Sequence, residues 1–317
     1  MTLDAPRSTD ARVVDAGPQP DAGPGPTLGG CPVFPAEDPW NQSVLGASVD
    51  QAWTTRLHAH ALRTDLHPDF GDGFGIPVNV VPMNEPLVPI SFFYDDSDPG
   101  PYPFPSTVEI EGGVPTNCSG DCHVLVVQQG ACTLWEGYAC EYGAGAWQCG
   151  SGAKFDLTEI GPGQRPRGWT SADAAGLAIT PGLVRFDEVA AGEVRHAIRF
   201  TMHCIQDGWV YPASHQAVSR GPNNCPVGLD LQTLRAEYPP MGTRVRLKST
   251  YPTASLPPQA RIVAEAMKTY GMILADNGSD YFFQGDDHPG WDQDQLDALK
   301  DIPGDQLDVL EMPPIER

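Results

Sequence analysis

Residues 122–138 read CHVLVVQQGACTLWEGY, two β-prone runs either side of a Gln-Gly turn. Side chains alternate between faces along a strand, so the pairing register decides which residues meet. A two-residue loop at Gln129-Gly130 sets Gln128 opposite Ala131 and, counting outward, His123 opposite Glu136. One face then carries Leu125, Val127, Cys132 and Leu134 beneath a His123–Glu136 pair, and the other carries Val124, Val126, Thr133 and Trp135. A strand pair apolar on both faces belongs inside a stack of layers, so the stretch predicts a β-rich fold with one polar end.

Working outward, further β-prone runs at 87–94, 183–189, 194–203 and 244–250 are separated by Gly/Pro-rich turns, in a chain holding 34 Gly and 33 Pro. Runs at 272–276 and 279–284 flank Asn277-Gly278, a strong hairpin signal. Two helices are expected. Ser48 with Gln51 forms a capping box ahead of the stripe Val49, Trp53, Leu57 and Ala61, which stops before His67-Pro68. The second runs over 258–270, with Ile262, Val263, Ala266, Met267 and Tyr270 inward and Gly271 just past its end. The pattern is that of a mainly β protein, an antiparallel sandwich of jelly-roll type with a few peripheral helices.

Eight cysteines in 317 residues form an even set suited to a disulfide framework, which places the chain outside a reducing compartment. Cys204 with Cys225 and Cys140 with Cys149 make plausible local loops, leaving Cys31 to staple the N-terminal edge to the cluster around Cys118, Cys122 and Cys132. Structural zinc would want paired C-x2-C knuckles, and these spacings lack them. Residues 1–30, with DAGP at 15–18 and 21–24, offer almost nothing to bury and read as a disordered tether of the kind that joins a lipid-anchored protein to its folded part. Residues 31–317 read as a single β-rich domain. No apolar run approaches the roughly 18 residues that span a bilayer, so no transmembrane segment is expected. The start MTLDAPRSTD lacks a signal peptide's basic and apolar regions, so export requires a leader upstream of Met1.

With 19 basic against 41 acidic residues the formal charge is −22, which argues against nucleic acid as a partner. H-E-x-x-H, G-x-S-x-G and a phosphate loop are missing, so the zinc-peptidase, α/β-hydrolase and nucleotide readings lose their main support. His196 and His203 fall on opposite faces of a predicted strand, and His58 and His60 diverge on a helix. The turn Asp95-Asp96-Ser97-Asp98 offers calcium-type ligands, although a solvated acidic loop reads the same way; no other cofactor is expected.

Candidate chemistry lies with the acids. Asp156 in KFDL, Asp173 in TSAD, and Asp187 with Glu188 in VRFDEV join Glu136 and His123. On a strand Asp187 and Glu188 point to opposite faces; Glu188 shares a side with Val184 and Phe186, which frees Asp187 to meet Asp156 or Asp173 from a neighbouring element. Asp173 has a competing role in the first turn of a short helix after Thr170 or Ser171. Glycoside cleavage needs two carboxyl groups about 5–5.5 Å apart for retention or about 6.5–9.5 Å for inversion, and a carboxylate beside an imidazole tunes a proton relay. Trp147, Trp169, Trp209 and Trp291 in loop-like surroundings suit sugar stacking as well as core packing.

Several segments resemble a family of secreted bacterial and fungal proteins without an assigned activity. They include FPAEDPWNQSV at 34–44, LHPDFG at 66–71, HVLVV at 123–127, SGAKFDL at 151–157, TSADAAGL at 170–177, GLVRFDEVAAGEVRHAIRF at 182–200, RLKSTYP at 246–252 and AMKTYGMILADNGS at 266–279. The resemblance implies export and, among fungal members, company with carbohydrate-binding modules; it brings no catalytic residues. The chain departs from the pattern at Cys122, where a basic residue is usual, and in the added material at 207–225 around YPASH. Taken together, the expectation is an extracellular carbohydrate-active enzyme acting on a polysaccharide or cell-wall glycan, a glycoside hydrolase with carboxylates among Glu136, Asp156, Asp173, Asp187 and Glu188. The alternative is a non-catalytic glycan-binding or adhesion domain on a surface stalk.

Overall fold

The computed structural model describes residues 25–71, 73–221 and 224–317. Most of the tether expected over 1–30, including both DAGP repeats, lies outside the described residues. The strands of the two main sheets are β1 (His67–Asp69), β2 (Val78–Val81), β3 (Val124–Gln128), β4 (Thr133–Tyr138), β5 (Ser151–Asp156), β6 (Ile198–Met202), β7 (Arg244–Leu247), β8 (Met272–Asn277), β9 (Phe282–Gln284) and β10 (Leu307–Val309). The helices that bear on the argument are α1 (Gln51–His60), α2 (Phe186–Ala191), α3 (Leu231–Glu237) and α4 (Pro258–Thr269).

The Gln-Gly hairpin forms, with β3 and β4 antiparallel, but its register differs from the expected one. Gln128 faces Thr133, so Leu125 sits opposite Glu136 and Val124 opposite Gly137. The turn is longer because Cys132 is held at a positive φ of 48° and is tied to Cys31 by a disulfide, which takes it out of the ladder. A shift of two residues keeps every side chain on its expected face and still separates His123 from Glu136. All five residues of β3 are buried. Val124 and Val126 pack with Tyr102, Phe104 and Trp147, whereas Val127 and Leu134 join the main core around Phe155, Phe200 and Leu274.

The four-stranded sheet has the order β5-β4-β3-β2, and the six-stranded sheet the order β10-β7-β8-β6-β9-β1. Both are mixed. β2 runs parallel to β3, β6 to β8 and β9 to β1. The mainly β, disulfide-stapled class therefore holds, whereas the all-antiparallel pairing expected of the sandwich does not.

Asn277-Gly278 does not close a hairpin. β6, wholly buried, lies between β8 and β9, pairing parallel with the first and antiparallel with the second. The Asn-Gly turn instead arches over the end of β6, with the Gly278 N–H donating to the Met202 carbonyl at 3.1 Å and the Tyr281 N–H to Thr201 at 3.1 Å. A Cβ on Gly278 would stand 2.7 Å from the Thr201 hydroxyl, so close approach requires this glycine.

The run at 183–189 is also not a strand. Phe186 onward forms α2, closed by Gly192 at φ 98°, with Asp187 and Glu188 in the first turn, where acids complement the helix dipole. Helix α1 starts three residues beyond Ser48, capped by the Asp50 carboxylate accepting from the Trp53 N–H at 2.9 Å. Helix α4 buries Ala260, Val263, Ala266 and Met267 and ends at a Gly271 of positive φ, as its pattern predicts. The bridges are Cys31–Cys132, Cys118–Cys122, Cys140–Cys149 and Cys204–Cys225, which include both expected local loops and the N-terminal staple.

Candidate functional site

Strands β6 and β8 run parallel, so their carboxyl ends emerge together, and a cleft of about 500 Å³ opens there. Its floor comes from Asp276 and Asn277 at the end of β8 and from Ser171 to Ala174 in the loop that follows β5. Tyr138 at the end of β4, Asp121 just before β3, and Tyr94 with Asp96 form one side. His215, Val218 and Asn224, inside the loop closed by Cys204–Cys225, form the other.

A β-bulge aims the key acid. Phe200 faces Leu274 but Thr201 faces Asp276, so Ala275 is the extra residue. Its carbonyl accepts from the Ala175 N–H at 2.9 Å, which ties the 170–175 loop to β8. That loop is held almost residue by residue. Asp96 accepts from the Thr170 N–H at 2.9 Å, Ser151 donates to the Ser171 carbonyl at 2.6 Å, and His215 Nδ1–H donates to the Ala174 carbonyl at 2.7 Å. With Nδ1 committed as donor, the neutral His215 ring keeps Nε2 as an acceptor.

Beneath the floor lies a buried set of charges. Arg199, on the central strand β6, donates to both oxygens of the fully buried Asp173, at 2.9 Å from Nε and 2.7 Å from Nη2. Its Nη1 donates to Gln284 on β9, which is also hydrogen-bonded to Asp69. Burial opposes the charge on Arg199, but Asp173 keeps the guanidinium more firmly protonated than usual. Asp276 is 3.6 Å from Nη2, with 23% of its side chain open to the cleft. Burial first, and then the neighbouring Asp173 carboxylate, raise its pKa to about 8 against the pull of Arg199 and His123. At neutral pH the cleft therefore presents a protonated acid beside a fixed carboxylate.

His123 is buried behind the same loop. Its Nδ1 lies 2.5 Å from Glu111 Oε2, and its Nε2 is 3.2 Å from the Ala172 carbonyl. Both partners are acceptors, so the ring is bound as an imidazolium. Burial alone would lower its pKa, yet the hydrogen bond and charge of Glu111 raise it to about 9. Burial likewise opposes ionisation of Glu111, and His123 overrides it, leaving that carboxyl below its ordinary range.

No family model, curated protein or solved structure matches this chain.

Of the residues singled out from sequence, the structure brings Asp173 and His123 to the cleft, one in its floor and one behind it. His123 is paired with Glu111, not Glu136. Glu136 is fully buried, and its oxygens accept from the Ile179 N–H at 2.9 Å and the Thr180 N–H and hydroxyl, both at 2.8 Å, which caps a short turn. Burial, chiefly, raises its pKa, and none of its surface is open to a ligand. Asp156 is exposed and closes a turn by accepting from the Thr158 N–H and hydroxyl at 2.9 and 2.6 Å. Asp187 projects from α2 with 63% of its side chain exposed. Glu188, below it, binds Arg185 at 2.7 Å and His196 at 3.0 Å; burial opposes its charge, but these two partners hold its pKa low. None of the four lines the cleft.

In the turn at Asp95–Asp98 two carboxylates are engaged, Asp98 by Arg165 and the Lys154 N–H, and Asp96 by the Thr170 N–H. Among the described residues no three His, Cys, Asp or Glu side chains converge as a metal-binding group. Trp147, Trp209 and Trp291 are buried, and the cleft's aromatics are Tyr94 and Tyr138.

Sequence reasoning missed Asp276, Arg199, Glu111, Asp121 and His215. Signals existed for two: an arginine inside the apolar run HAIRFTM must have a buried partner, and an acid ending the apolar strand MILAD sits where a strand leaves the core.

Proposed function

We propose that this protein is an extracellular carbohydrate-active enzyme, a glycoside hydrolase whose general acid is Asp276. One observation carries the reading: Asp276 faces a cleft with its pKa raised to about 8, beside the Asp173 carboxylate locked onto Arg199. A cleft carboxyl group that a neighbouring carboxylate and burial keep protonated at neutral pH is suited to the general-acid role. Asp173 is fully buried and bonded through both oxygens, which suits it to hold Asp276 in its protonated state and not to touch substrate.

In this reading Asp276 gives its proton to the glycosidic oxygen as the carbon–oxygen bond breaks. Asp121, exposed on the facing wall, takes the proton of the water that adds to the anomeric carbon. Tyr94 and Tyr138 supply ring faces for a sugar, and His215 Nε2 accepts from one of its hydroxyls. Export is supported by four disulfides without a free cysteine among the described residues and by the segments that resemble those of a secreted family.

The test is mass spectrometry of products after incubation with plant, fungal and bacterial wall polysaccharides. New oligosaccharides that disappear with Asp276→Asn and with Asp121→Asn are expected; products that persist in both variants would overturn the assignment. A non-catalytic glycan-binding domain is the second reading, favoured by Phe93 and Tyr94, which are 81% and 46% exposed beside the cleft. Retention on one insoluble polymer, with no product from wild type or either variant, is its signature.

A further inference from the structure

The cleft continues past Tyr94 and Tyr138. The same two residues line a second, more open groove of about 660 Å³, bounded by Phe93, Glu141 and Gln148. The rings of Phe93 and Tyr94 stand 5.1 Å apart and nearly perpendicular. Their exposure is not a sign of loose chain. The Phe93 N–H donates to the Cys149 carbonyl at 3.0 Å and the Tyr94 N–H to Gly150 at 2.9 Å, and Cys149 is fixed by its disulfide to Cys140. Two exposed aromatic rings thus stand on anchored backbone, an arrangement that burial does not explain and that stacking against pyranose rings does.

Charge narrows the occupant. Asp96, Asp121, Asp173 and Asp276 line the cleft and Glu141 lines the groove, and among the described residues no lysine or arginine lines either. The buried cations behind the cleft are already engaged, Arg199 with Asp173 and Gln284, His123 with Glu111, and Arg165 with Asp98. A uronate or sulfated chain would meet the Asp96, Asp121 and Glu141 carboxylates with no lysine or arginine among the described lining residues to offset them, whereas hydroxyl or ammonium substituents would find acceptors.

We infer that the substrate is the interior of a long glycan chain free of acidic groups, lying across both depressions with Tyr94 and Tyr138 at the junction. Cleavage is then internal, not from chain ends. This rests on the hydrolase reading above for the cleavage step, while the binding path stands on the groove alone.

The experiment uses the full chain with soluble polymers that share a backbone and differ in charge. One set is hydroxyethyl, quaternary-ammonium and carboxymethyl β-1,4-glucan; the other is glycol chitin, chitosan and carboxymethyl chitin. Viscosity, reducing ends and mobility in native gels containing each polymer are measured. Viscosity should fall while few reducing ends have formed, and carboxymethyl members should react at least tenfold more slowly than their uncharged or amino partners. Phe93→Ala, at a side chain almost wholly in solvent, should weaken gel retardation at least fivefold. Release of short sugars without loss of viscosity, preference for a carboxymethyl member, or unaltered retardation of Phe93→Ala would overturn the inference. Retardation that depends on Phe93 without any new reducing ends keeps the binding path and overturns hydrolysis. No retardation and no cleavage with every polymer overturns both.

Discussion

Asp276 stands 3.6 Å from the Arg199 guanidinium, beyond hydrogen-bond reach, because that cation's paired N–H groups point at Asp173. Proximity without a hydrogen bond leaves burial and the Asp173 carboxylate dominant, and the Asp276 proton is retained to about pH 8. In the proposed role of general acid it must be protonated, so kcat/KM on an uncharged glycan should fall as pH rises through about 8. Asp276→Asn should lower kcat by about 10²-fold or more at every pH. The same raised pKa means that the folded state binds a proton the unfolded chain releases near pH 4, so it contributes stability that declines as pH rises towards 8. Urea denaturation of the Asn variant should lack that part of the slope.

The His123–Glu111 pair makes a second pH prediction. His123 is raised from its ordinary 6.5 to about 9 in the fold, so its stabilisation is complete below pH 6.5 and is lost as pH climbs through 9. The full effect is on the order of 3 kcal/mol for a shift of this size. Denaturation midpoints between pH 6 and 10 should drop steeply in the wild type and much less in His123→Gln. An equal decline in both would remove the imidazolium from the account.

Arg199 is the one cation bonded to Asp173 among the described hydrogen bonds and ion pairs. Arg199→Met strands a buried carboxylate, and removing one member of such a pair costs about 3–5 kcal/mol. The double variant Arg199→Met/Asp173→Leu should recover much of that loss in stability and none of the activity. Thermal melts of the three proteins check the first claim, and product analysis the second.

The Cys204–Cys225 bridge closes a loop of sequence separation 21 that carries His215 and one wall of the cleft. Loop-closure entropy assigns such a bridge about 3 kcal/mol. Cys204→Ser/Cys225→Ser should melt at lower temperature and show faster amide exchange through residues 205–225 than wild type. If exchange there is unchanged, the wall is held by other contacts.

Gly278→Ala places a methyl group 2.7 Å from the Thr201 hydroxyl. A loss of about 1–3 kcal/mol is expected from overpacking at this site. Thr201→Ala in the same chain should return part of it, since the two substitutions share one space.

Local pattern made much of this fold legible. The alternation in 122–138 specified a buried strand pair, Gly271 marked the end of α4, and the spacing of the cysteines pointed to Cys140–Cys149 and Cys204–Cys225. Long-range pairing was not legible. Asn277-Gly278 carries every local mark of a hairpin, and nothing near it in the chain announces that Ile198–Met202 comes between the strands it joins. The same limit explains the site. Asp173 and His123 were singled out from their own neighbourhoods, whereas Asp276 acquires its chemistry from residues about 75 to 150 positions earlier, through a parallel pairing and a bulge that composition does not encode. In FDEVAAG the apolar spacing of Phe186 and Val189 and the closing Gly192 already favoured a helical turn, and the β-prone Val184 and Phe186 masked it.

Because β6 is flanked on both sides by strands that follow it in the chain, the order of synthesis matters. A nascent chain that has emerged only as far as α4 holds Arg199 and Asp173 but neither Asp276 nor Gln284, so the central strand has both edges open and its arginine lacks half of its setting. The cleft is consequently a late product of folding. Truncations before residue 285 should yield chains that aggregate through those bare edges instead of folded but weakened proteins.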